Sequence, residues 1–370
     1  MTKVLTTLAV AFIVLGSASA DAQSTGGKSC ESLASLALPH AKITSAEAIA
    51  AGAFKAPNAG RGAALYAQLP AFCRVAATLT PSKDSQIQME IWLPAENWNG
   101  KFLAVGNGGW AGTISLDAVA TGLRRGYAAA SNDTGHSDPG AQFALNQDKL
   151  IDFAYRAMHE MTVQSKTIVG AYYNQPPRLS YYQGCSTGGR QGMMEAQRYP
   201  DDFDAIIAGA PVYNMVHMNV TQTALQVEML KNPARIVPPD KVTLVAKAAT
   251  AACDANDGVK DGIINDPRSC KFDPGVLACK AGDPSTGSGS SRAASRDDAP
   301  DCLTAGQVES ARQLYAPVKM KSGHVAYPGR SPGVETGWAS RIPEVGKPVG
   351  ALWGDMPRFV GHRDASWDAM

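Results

Sequence analysis

Charged residues are scarce in this chain of 370 residues. Lys, Arg, Asp and Glu make up 18% of it, below the quarter that is usual in soluble domains. The 34 basic and 33 acidic residues leave a formal net charge of +1, and the basic residues form no dense run. Nucleic acids and anionic membrane surfaces recruit proteins through clustered positive charge. The sequence therefore predicts neither of them as a partner.

Long hydrophobic runs are also lacking. Beyond the N-terminus, no apolar stretch reaches the ~20 residues that a membrane-spanning helix needs. The N-terminal apolar run, at residues 4–15, follows a lysine and precedes small residues at 18–20, which is the arrangement of a secretory signal peptide. We predict that residues 1–20 are removed by cleavage after Ala20, with Ala22 as the second choice. The mature protein is then expected to be secreted or periplasmic.

Cysteines are few and odd in number: the chain has seven, and none follows Cys302. Export implies an oxidising compartment, in which disulfides form and persist. An odd number leaves one cysteine without a partner in this chain.

Residues 101–211 alternate short apolar runs with loops and amphipathic stretches, a pattern typical of an α/β sheet. Apolar runs predict strands at residues 102–105, 127–131 and 179–183, and a further strand that begins at residue 206. Apolar residues at helical spacing predict a long helix at residues 151–173, and a second helix is expected at 189–198.

The composition changes after residue 211. The remainder holds four of the seven cysteines, few strand-like runs and a Gly/Ser-rich stretch at residues 283–295, which predicts a flexible surface loop. We predict that residues 21–211 form the N-terminal part of an α/β core. Residues 212–370 are predicted to form a separate lid over that core.

A candidate nucleophile lies between a predicted strand and a predicted helix. Residues 184–188 read Gly-Cys-Ser-Thr-Gly and fit the G-x-S-x-G pattern, in which a strained turn requires small neighbours and exposes the serine, here Ser186. Backbone N–H groups near the helix start can bind an oxyanion. We expect the first such N–H group from Thr187 and the second from Gly109, in the glycine-rich loop at residues 106–109 (the glycine loop). A bare G-x-S-x-G also occurs by chance, and an ordinary tight turn is the alternative for the glycine loop.

The nucleophile segment, Tyr-Tyr-Gln-Gly-Cys-Ser-Thr-Gly-Gly-Arg-Gln-Gly at residues 181–192, resembles that of the tannase and feruloyl esterase family. This family also contains the esterase that acts on mono(2-hydroxyethyl) terephthalate. Residues 152–163 resemble the family's helix before the nucleophile, and residues 206–211 the strand after it. The resemblance extends from about residue 30 to the C-terminus. It implies an α/β-hydrolase core with an inserted lid, and ester substrates with an aromatic or polyphenolic acid part.

The same resemblance bears on the cysteines. In the family, the cysteine before the nucleophile pairs with a cysteine just after the catalytic histidine. Cys185 matches the first, and nothing in this chain matches the second, although a small buried residue in the turn is the alternative interpretation of Cys185. The other six are implied to pair as Cys30–Cys73, Cys253–Cys270 and Cys279–Cys302, although the family usually has a shorter loop within the last pair.

Three aspartates, Asp254, Asp257 and Asp261, lie within eight residues that also contain two glycines. Their charges repel one another unless a cation lies among them, and oxygen ligands on glycine turns are typical of Ca²⁺. The glutamate that ends an EF-hand loop is absent, and an acidic solvated turn is the alternative. The resemblance implies a structural Ca²⁺ bound by these side chains and by the carbonyls of Val259 and Ile263.

The histidines do not supply an evident catalytic base. His136, His159 and His217 are expected to be hydrogen-bonded structural residues, and neither His324 nor His362 has the neighbouring cysteine that the family's base carries. In α/β-hydrolases the acid and the histidine both follow the nucleophile in the chain. We therefore predict an incomplete core that stops short of both. Such a chain is expected to express poorly and to have negligible esterase activity alone.

The leading hypothesis is a secreted carboxylic ester hydrolase with an α/β-hydrolase fold and a calcium-binding lid. Ser186 attacks the ester, an acyl-enzyme forms, and water releases the acid. The expected partner is a small aromatic ester such as a feruloyl, galloyl or terephthalate half-ester. The alternative is a non-catalytic secreted calcium-binding protein, inactive because the triad's acid and histidine are absent.

Overall fold

The structure, a computed structural model, describes residues 27–57, 63–280 and 301–370. The predicted signal peptide at residues 1–20 and the Gly/Ser-rich stretch at 283–295 lie outside the described residues. Among the described helices, none is both long enough and apolar enough to cross a bilayer.

A mixed sheet of seven strands forms the first half of the described chain, in the order β1-β2-β3-β5-β4-β6-β7. Neighbours from β1 to β5 pair antiparallel, whereas β5-β4-β6-β7 pair in parallel. The strands are β1 (Ala41–Ile49), β2 (Phe72–Leu79), β3 (Ile87–Pro94), β4 (Lys101–Val105), β5 (Ala128–Asn132), β6 (Leu179–Cys185) and β7 (Ala205–Gly209).

Helices follow the parallel strands and continue through the second half of the described chain. They are α1 (Ala63–Tyr66), α2 (Leu116–Arg124), α3 (Gln147–Ile151), α4 (Ala157–Tyr173), α5 (Thr187–Arg198), α6 (Met215–Lys231), α7 (Pro239–Cys253), α8 (Ala305–Tyr315) and α9 (Ala351–Asp355). The strands predicted from the apolar runs are present, within one or two residues at their ends. The predicted helix at 151–173 is found as α3 and α4 joined by a π-helical turn, Asp152–Arg156.

The sheet is covered on both faces, and β4 shows how its sequence achieves this. Side chains alternate across a strand, so Phe102 and Ala104 pack with the cluster that includes α4. Leu103 and Val105 pack with the cluster that includes α2. A strand buried on both faces reads as a continuous apolar run rather than as an alternation, which is why residues 102–105 stood out.

A separate apolar cluster organises the second half. Side chains of α6, α7 and α8 pack there around Trp338, which is 1% exposed. A short antiparallel ribbon, β8 (Val318–Lys319) with β9 (Val325–Tyr327), lies between α8 and this tryptophan in the chain.

The two halves meet through residues distant in sequence. Met356 and Phe359 pack with Trp110, Phe143 and Phe153 in one buried cluster. Next to it, the Trp110 indole N–H donates to the carbonyl of Ala351 at 3.3 Å, and the backbone N–H of Ala141 donates to Asp355 at 2.9 Å. The segment that contains α9 is therefore fastened beside the glycine loop that follows β4.

Candidate active site

Ser186 occupies the sharp turn between β6 and α5. Its φ and ψ are 60° and −116°, a conformation that is costly for a residue with a side chain and that marks functional sites. Its backbone N–H donates to Gly209 on β7 at 3.0 Å, and its carbonyl accepts from Val212. The side chain is exposed, so the strain presents a free hydroxyl at the carboxyl end of the parallel strands.

The glycines of the motif are required by close packing. A Cβ on Gly184 would lie 2.6 Å from the backbone of Gly188, and a Cβ on Gly106 would lie 2.7 Å from the Cα of Gly188. No side chain fits at these distances. Gly184 and Gly188 of the motif, together with Gly106, thus let β6, α5 and the loop after β4 approach one another closely.

Two backbone N–H groups are available beside Ser186. Neither Thr187 nor Gly109 uses its N–H in a hydrogen bond with any described residue, and both residues line the same cavity as Ser186. The Thr187 hydroxyl donates to the carbonyl of Gly109, which holds the glycine loop against the start of α5. This arrangement places both predicted oxyanion donors at the nucleophile.

A pair of amide side chains fixes the glycine loop in place. Asn107 and Gln191 exchange hydrogen bonds: Gln191 donates to the Asn107 side chain at 3.0 Å and accepts from its backbone N–H at 3.1 Å. The Asn107 amide also donates to the carbonyls of Thr113 and Asn132. The sequence analysis missed these two residues. Their signal was an asparagine inside the glycine loop and a glutamine at the start of the predicted helix.

A cavity of about 440 Å³ opens at Ser186. Its floor consists of Ser186, Thr187 and Gly109. Its walls come from the second half of the chain, and they carry mainly apolar side chains, Met215, Met218, Tyr327, Leu352 and Trp353. A flat apolar group attached to an ester carbonyl at Ser186 would be enclosed by these walls.

Arg341 is the cationic residue of this cavity. Its guanidinium lies over the Trp353 ring, 4.3 Å from the centroid. Its Nη1 is buried and lacks a hydrogen-bond partner among the described residues. Burial, followed by the nearby charge of Arg330, lowers the pKa of Arg341 to about 10. A buried donor without an acceptor is costly, so Arg341 brings an incompletely hydrogen-bonded cation to the wall of this cavity.

None of the six histidines hydrogen-bonds with the Ser186 hydroxyl within the described residues. His136, His159 and His217 bond with Trp110, Asp202 and Asn214, as expected of structural residues. His324 is exposed, and His362 stacks on Trp367.

Three disulfides join Cys30 to Cys73, Cys253 to Cys270 and Cys279 to Cys302. These are the pairs that the family resemblance implied. Cys185 is a free, exposed cysteine, so the alternative of a small buried residue at that position is wrong.

The loop that contains Asp254, Asp257 and Asp261, here called the aspartate loop, does not bring its three carboxylates together around one point. Asp254 is buried and accepts from the backbone N–H of Gly262 at 2.8 Å, while Asp257 and Asp261 are exposed and accept from Val259 and Ile263. In the described parts of the chain, the group of three or more metal-ligating side chains that does converge lies elsewhere. The side-chain geometry therefore does not match a formed Ca²⁺ site, although the glycine turns and oxygen donors suit one.

Comparison with known proteins adds the family context. A sequence model described as "Tannase and feruloyl esterase" matches residues 73–353. An uncharacterized esterase of Xanthomonas campestris pv. campestris is 39% identical over 332 residues, which cover 89% of this chain and 53% of that protein. A probable feruloyl esterase B-2 of Aspergillus oryzae is 31% identical over 97% of this chain and 66% of its own length.

Solved structures show the same relationship. The crystal structure of feruloyl esterase B from Aspergillus oryzae aligns with a TM-score of 0.80 and 33% identity, covering 92% of this chain and 66% of that one. The tannin acyl hydrolase from Aspergillus niger aligns with a TM-score of 0.65 at 22% identity, over 88% of this chain and 61% of that one, which shows a shared fold. The chain thus spans about half to two thirds of the length of these relatives. With a family match over most of its length and relatives above 30% identity, the chain belongs to the tannase and feruloyl esterase family.

Proposed function

We propose that this chain carries the nucleophile, the oxyanion donors and the acyl pocket of a secreted carboxylic ester hydrolase. The observation that supports this most strongly is Ser186, strained and exposed, with two unused backbone N–H groups in the same cavity. Such donors stabilise the negative charge that develops on a carbonyl oxygen under attack. Membership of a family with probable feruloyl esterases supports the same reaction class.

The reaction divides into acylation and deacylation. The Ser186 oxygen attacks the ester carbonyl, the alcohol leaves, and water then releases the acid from the acyl-enzyme. Each step needs a base to accept a proton. Since the described residues bring no histidine to Ser186, acylation by an activated ester with a good leaving group is the step most accessible to this chain alone.

Aromatic acids are the proposed acyl group. The walls of the cavity are largely apolar, and their one cationic residue, Arg341, has an unpartnered nitrogen. A phenolic or carboxylate oxygen on the far end of an aromatic ring would be attracted by the positive charge of Arg341. Feruloyl, galloyl and terephthalate half-esters all present such an oxygen.

The test is acylation followed by mass spectrometry. The full chain is incubated with p-nitrophenyl acetate and with a p-nitrophenyl ester of ferulic acid, and tryptic peptides are searched for the added acyl group. We expect the acyl group on Ser186. Ser186→Ala should abolish the acyl group on the tryptic peptide that contains residue 186, because the nucleophile is lost.

Ser35→Ala is the matched control, since Ser35 is also exposed but lies in a 3₁₀ turn before β1; its Ser186 should be acylated as in the wild type. Acylation of other residues with Ser186 unmodified would refute the assignment. A folded chain that is acylated nowhere would instead favour the non-catalytic alternative.

Export and Ca²⁺ complete the proposal. The exported state is supported by the N-terminal sequence pattern and by the three disulfides, which persist in oxidising compartments. Ca²⁺ at the aspartate loop is supported by the donor set of Asp254, Asp257 and Asp261 and by the glycine turns.

A further inference from the structure

Three side chains converge away from the catalytic cavity. His159 comes from α4, Glu195 from α5, and Asp202 from the 3₁₀ turn Pro200–Asp202 that follows α5. Each offers one ligand atom, and these atoms all lie within 4.8 Å of one another. None of the three lines the cavity at Ser186.

Glu195 is the unusual member. It is 0% exposed, and neither of its carboxylate oxygens has a hydrogen-bond partner among the described residues. Among the described residues, no positive side chain hydrogen-bonds with Glu195, and the carboxylate of Asp202 lies beside it. A buried, unpartnered carboxylate is expensive unless it meets a cation or takes up a proton.

The neighbours of Glu195 add a nitrogen and carboxylate oxygens that can bind a metal ion. His159 Nδ1 lies 2.6 Å from Asp202 Oδ2, and the imidazole ring stacks on Tyr199 with centroids 3.8 Å apart. The ammonium of Lys166 is directed to the main-chain carbonyl of Asp202, not to its carboxylate. The carboxylates of Glu195 and Asp202 therefore face each other with one imidazole beside them.

We propose that His159, Glu195 and Asp202 bind a divalent transition-metal cation, with Zn²⁺ as the best match. One imidazole and two carboxylates are Zn²⁺ ligands of ordinary type, and at bond lengths of about 2.0–2.2 Å they lie roughly 3–4 Å apart. A small adjustment of the three side chains gives that spacing. Two carboxylates and a neutral imidazole carry a charge that one divalent cation cancels.

The consequence is structural. A cation here joins the start of the sheet-covering helix α4 to the end of α5, the helix that begins directly after Ser186. Because the folded chain alone brings the three ligands together, bound metal stabilises the fold by mass action. The site is also independent of the thiol of Cys185.

Zinc binding by the full chain tests the proposal. The chain is first stripped with a chelator and then dialysed against ZnCl₂, and bound metal is measured by elemental analysis together with the melting temperature. We expect one saturable Zn²⁺ that raises the melting temperature. Glu195→Gln should weaken binding at least tenfold. Asp201→Asn is the matched control, because Asp201 is adjacent but exposed, and it should bind as the wild type does.

Further variants separate this site from other metal ligands. His159→Gln is a second test if Glu195→Gln does not fold, since His159 is partly exposed. Cys185→Ser and Asp257→Asn remove the free thiol and the aspartate loop as ligands, and both should retain the zinc. Absence of saturable zinc in the wild type would overturn the proposal and favour a proton shared between Glu195 and Asp202. Zinc binding by both Glu195→Gln and His159→Gln that is as tight as binding by the wild type would also overturn it.

Discussion

The backbone of Ser186 is held from both sides, by its hydrogen bonds to Gly209 and Val212. A strained residue of this kind costs on the order of 1–3 kcal/mol, and the surrounding packing has to supply that energy. Much of it depends on glycines of α5 that lie against β7. A Cβ on Gly189 would lie 2.3 Å from the carbonyl of Gly209 and 2.8 Å from the Cα of Pro211.

We predict opposite effects for two glycine-to-alanine substitutions. Gly189→Ala should lower the free energy of unfolding by about 1–3 kcal/mol, because the new methyl group meets backbone. Gly170→Ala, in the interior of α4, should raise it by up to about 1 kcal/mol, since nothing lies within 4 Å and alanine favours the helix. Urea denaturation of both variants measures the difference. Equal stability of the two would show that the packing at α5 is looser than the structure indicates.

The sequence identified some residues of the site and missed others for a physical reason. Ser186, Thr187 and Gly109 follow from a local pattern, because a turn and the start of a helix are set by neighbouring residues. Asn107 and Gln191 act through each other across 84 residues of chain. Arg341 reaches the cavity from the second half of the chain. No local sequence pattern predicts such contacts between residues that are distant in the chain.

At the scale of elements, the π-helical turn Asp152–Arg156 explains why one predicted helix is found in two parts. The carbonyls of Phe153 and Ala154 in this turn accept hydrogen bonds from the guanidinium of Arg190, at 3.0 and 2.8 Å. Burial lowers the pKa of Arg190 to about 10. The interruption therefore ties the helix before the nucleophile to α5. Apolar periodicity predicted the helix, but it carries no information on this tertiary bond.

The aspartate loop is the element for which Ca²⁺ is proposed. If Ca²⁺ binds there, CaCl₂ added after EDTA treatment should raise the melting temperature, because a ligand of the folded state alone stabilises that state. Asp257→Ala should abolish the difference between the two conditions. Differential scanning calorimetry measures it.

Glu344→Ala provides the control for that experiment, since Glu344 is an exposed acid outside the loop. Its melting temperature should respond to added CaCl₂ as that of the wild type does. If the melting temperature of Asp257→Ala still responds as that of the wild type does, the cation acts at another site. The site of His159, Glu195 and Asp202 is then the first to test, by zinc titration.

At the scale of the whole molecule, the sheet ends at an exposed edge. In the described structure β7 pairs with β6 alone, and Ile207 is 64% exposed. A groove of about 480 Å³ beside it is lined by Leu103, Val105, Ile207 and the free Cys185. Exposed strand edges and apolar faces favour association with other chains, and here they surround an exposed thiol.

We predict that this thiol reacts in the folded protein. Titration with Ellman's reagent should give one thiol per native chain, and seven after reduction and denaturation. Cys185→Ser should give none in the native state. On a non-reducing gel, oxidised wild type should show a disulfide-linked dimer that the variant lacks. A native wild-type chain with no reactive thiol would mean that another group covers or binds Cys185.

The order of synthesis determines when the cavity at Ser186 acquires its walls. Ser186 and its oxyanion donors leave the ribosome before Arg341, Leu352 and Trp353, which enclose the cavity from the other half of the chain. At about 5–20 residues per second, roughly 170 residues of further synthesis separate the nucleophile from Trp353. For some 10–30 s the nascent chain holds Ser186 without that enclosure. A ligand can therefore be enclosed beside Ser186 only after Trp353 has been made.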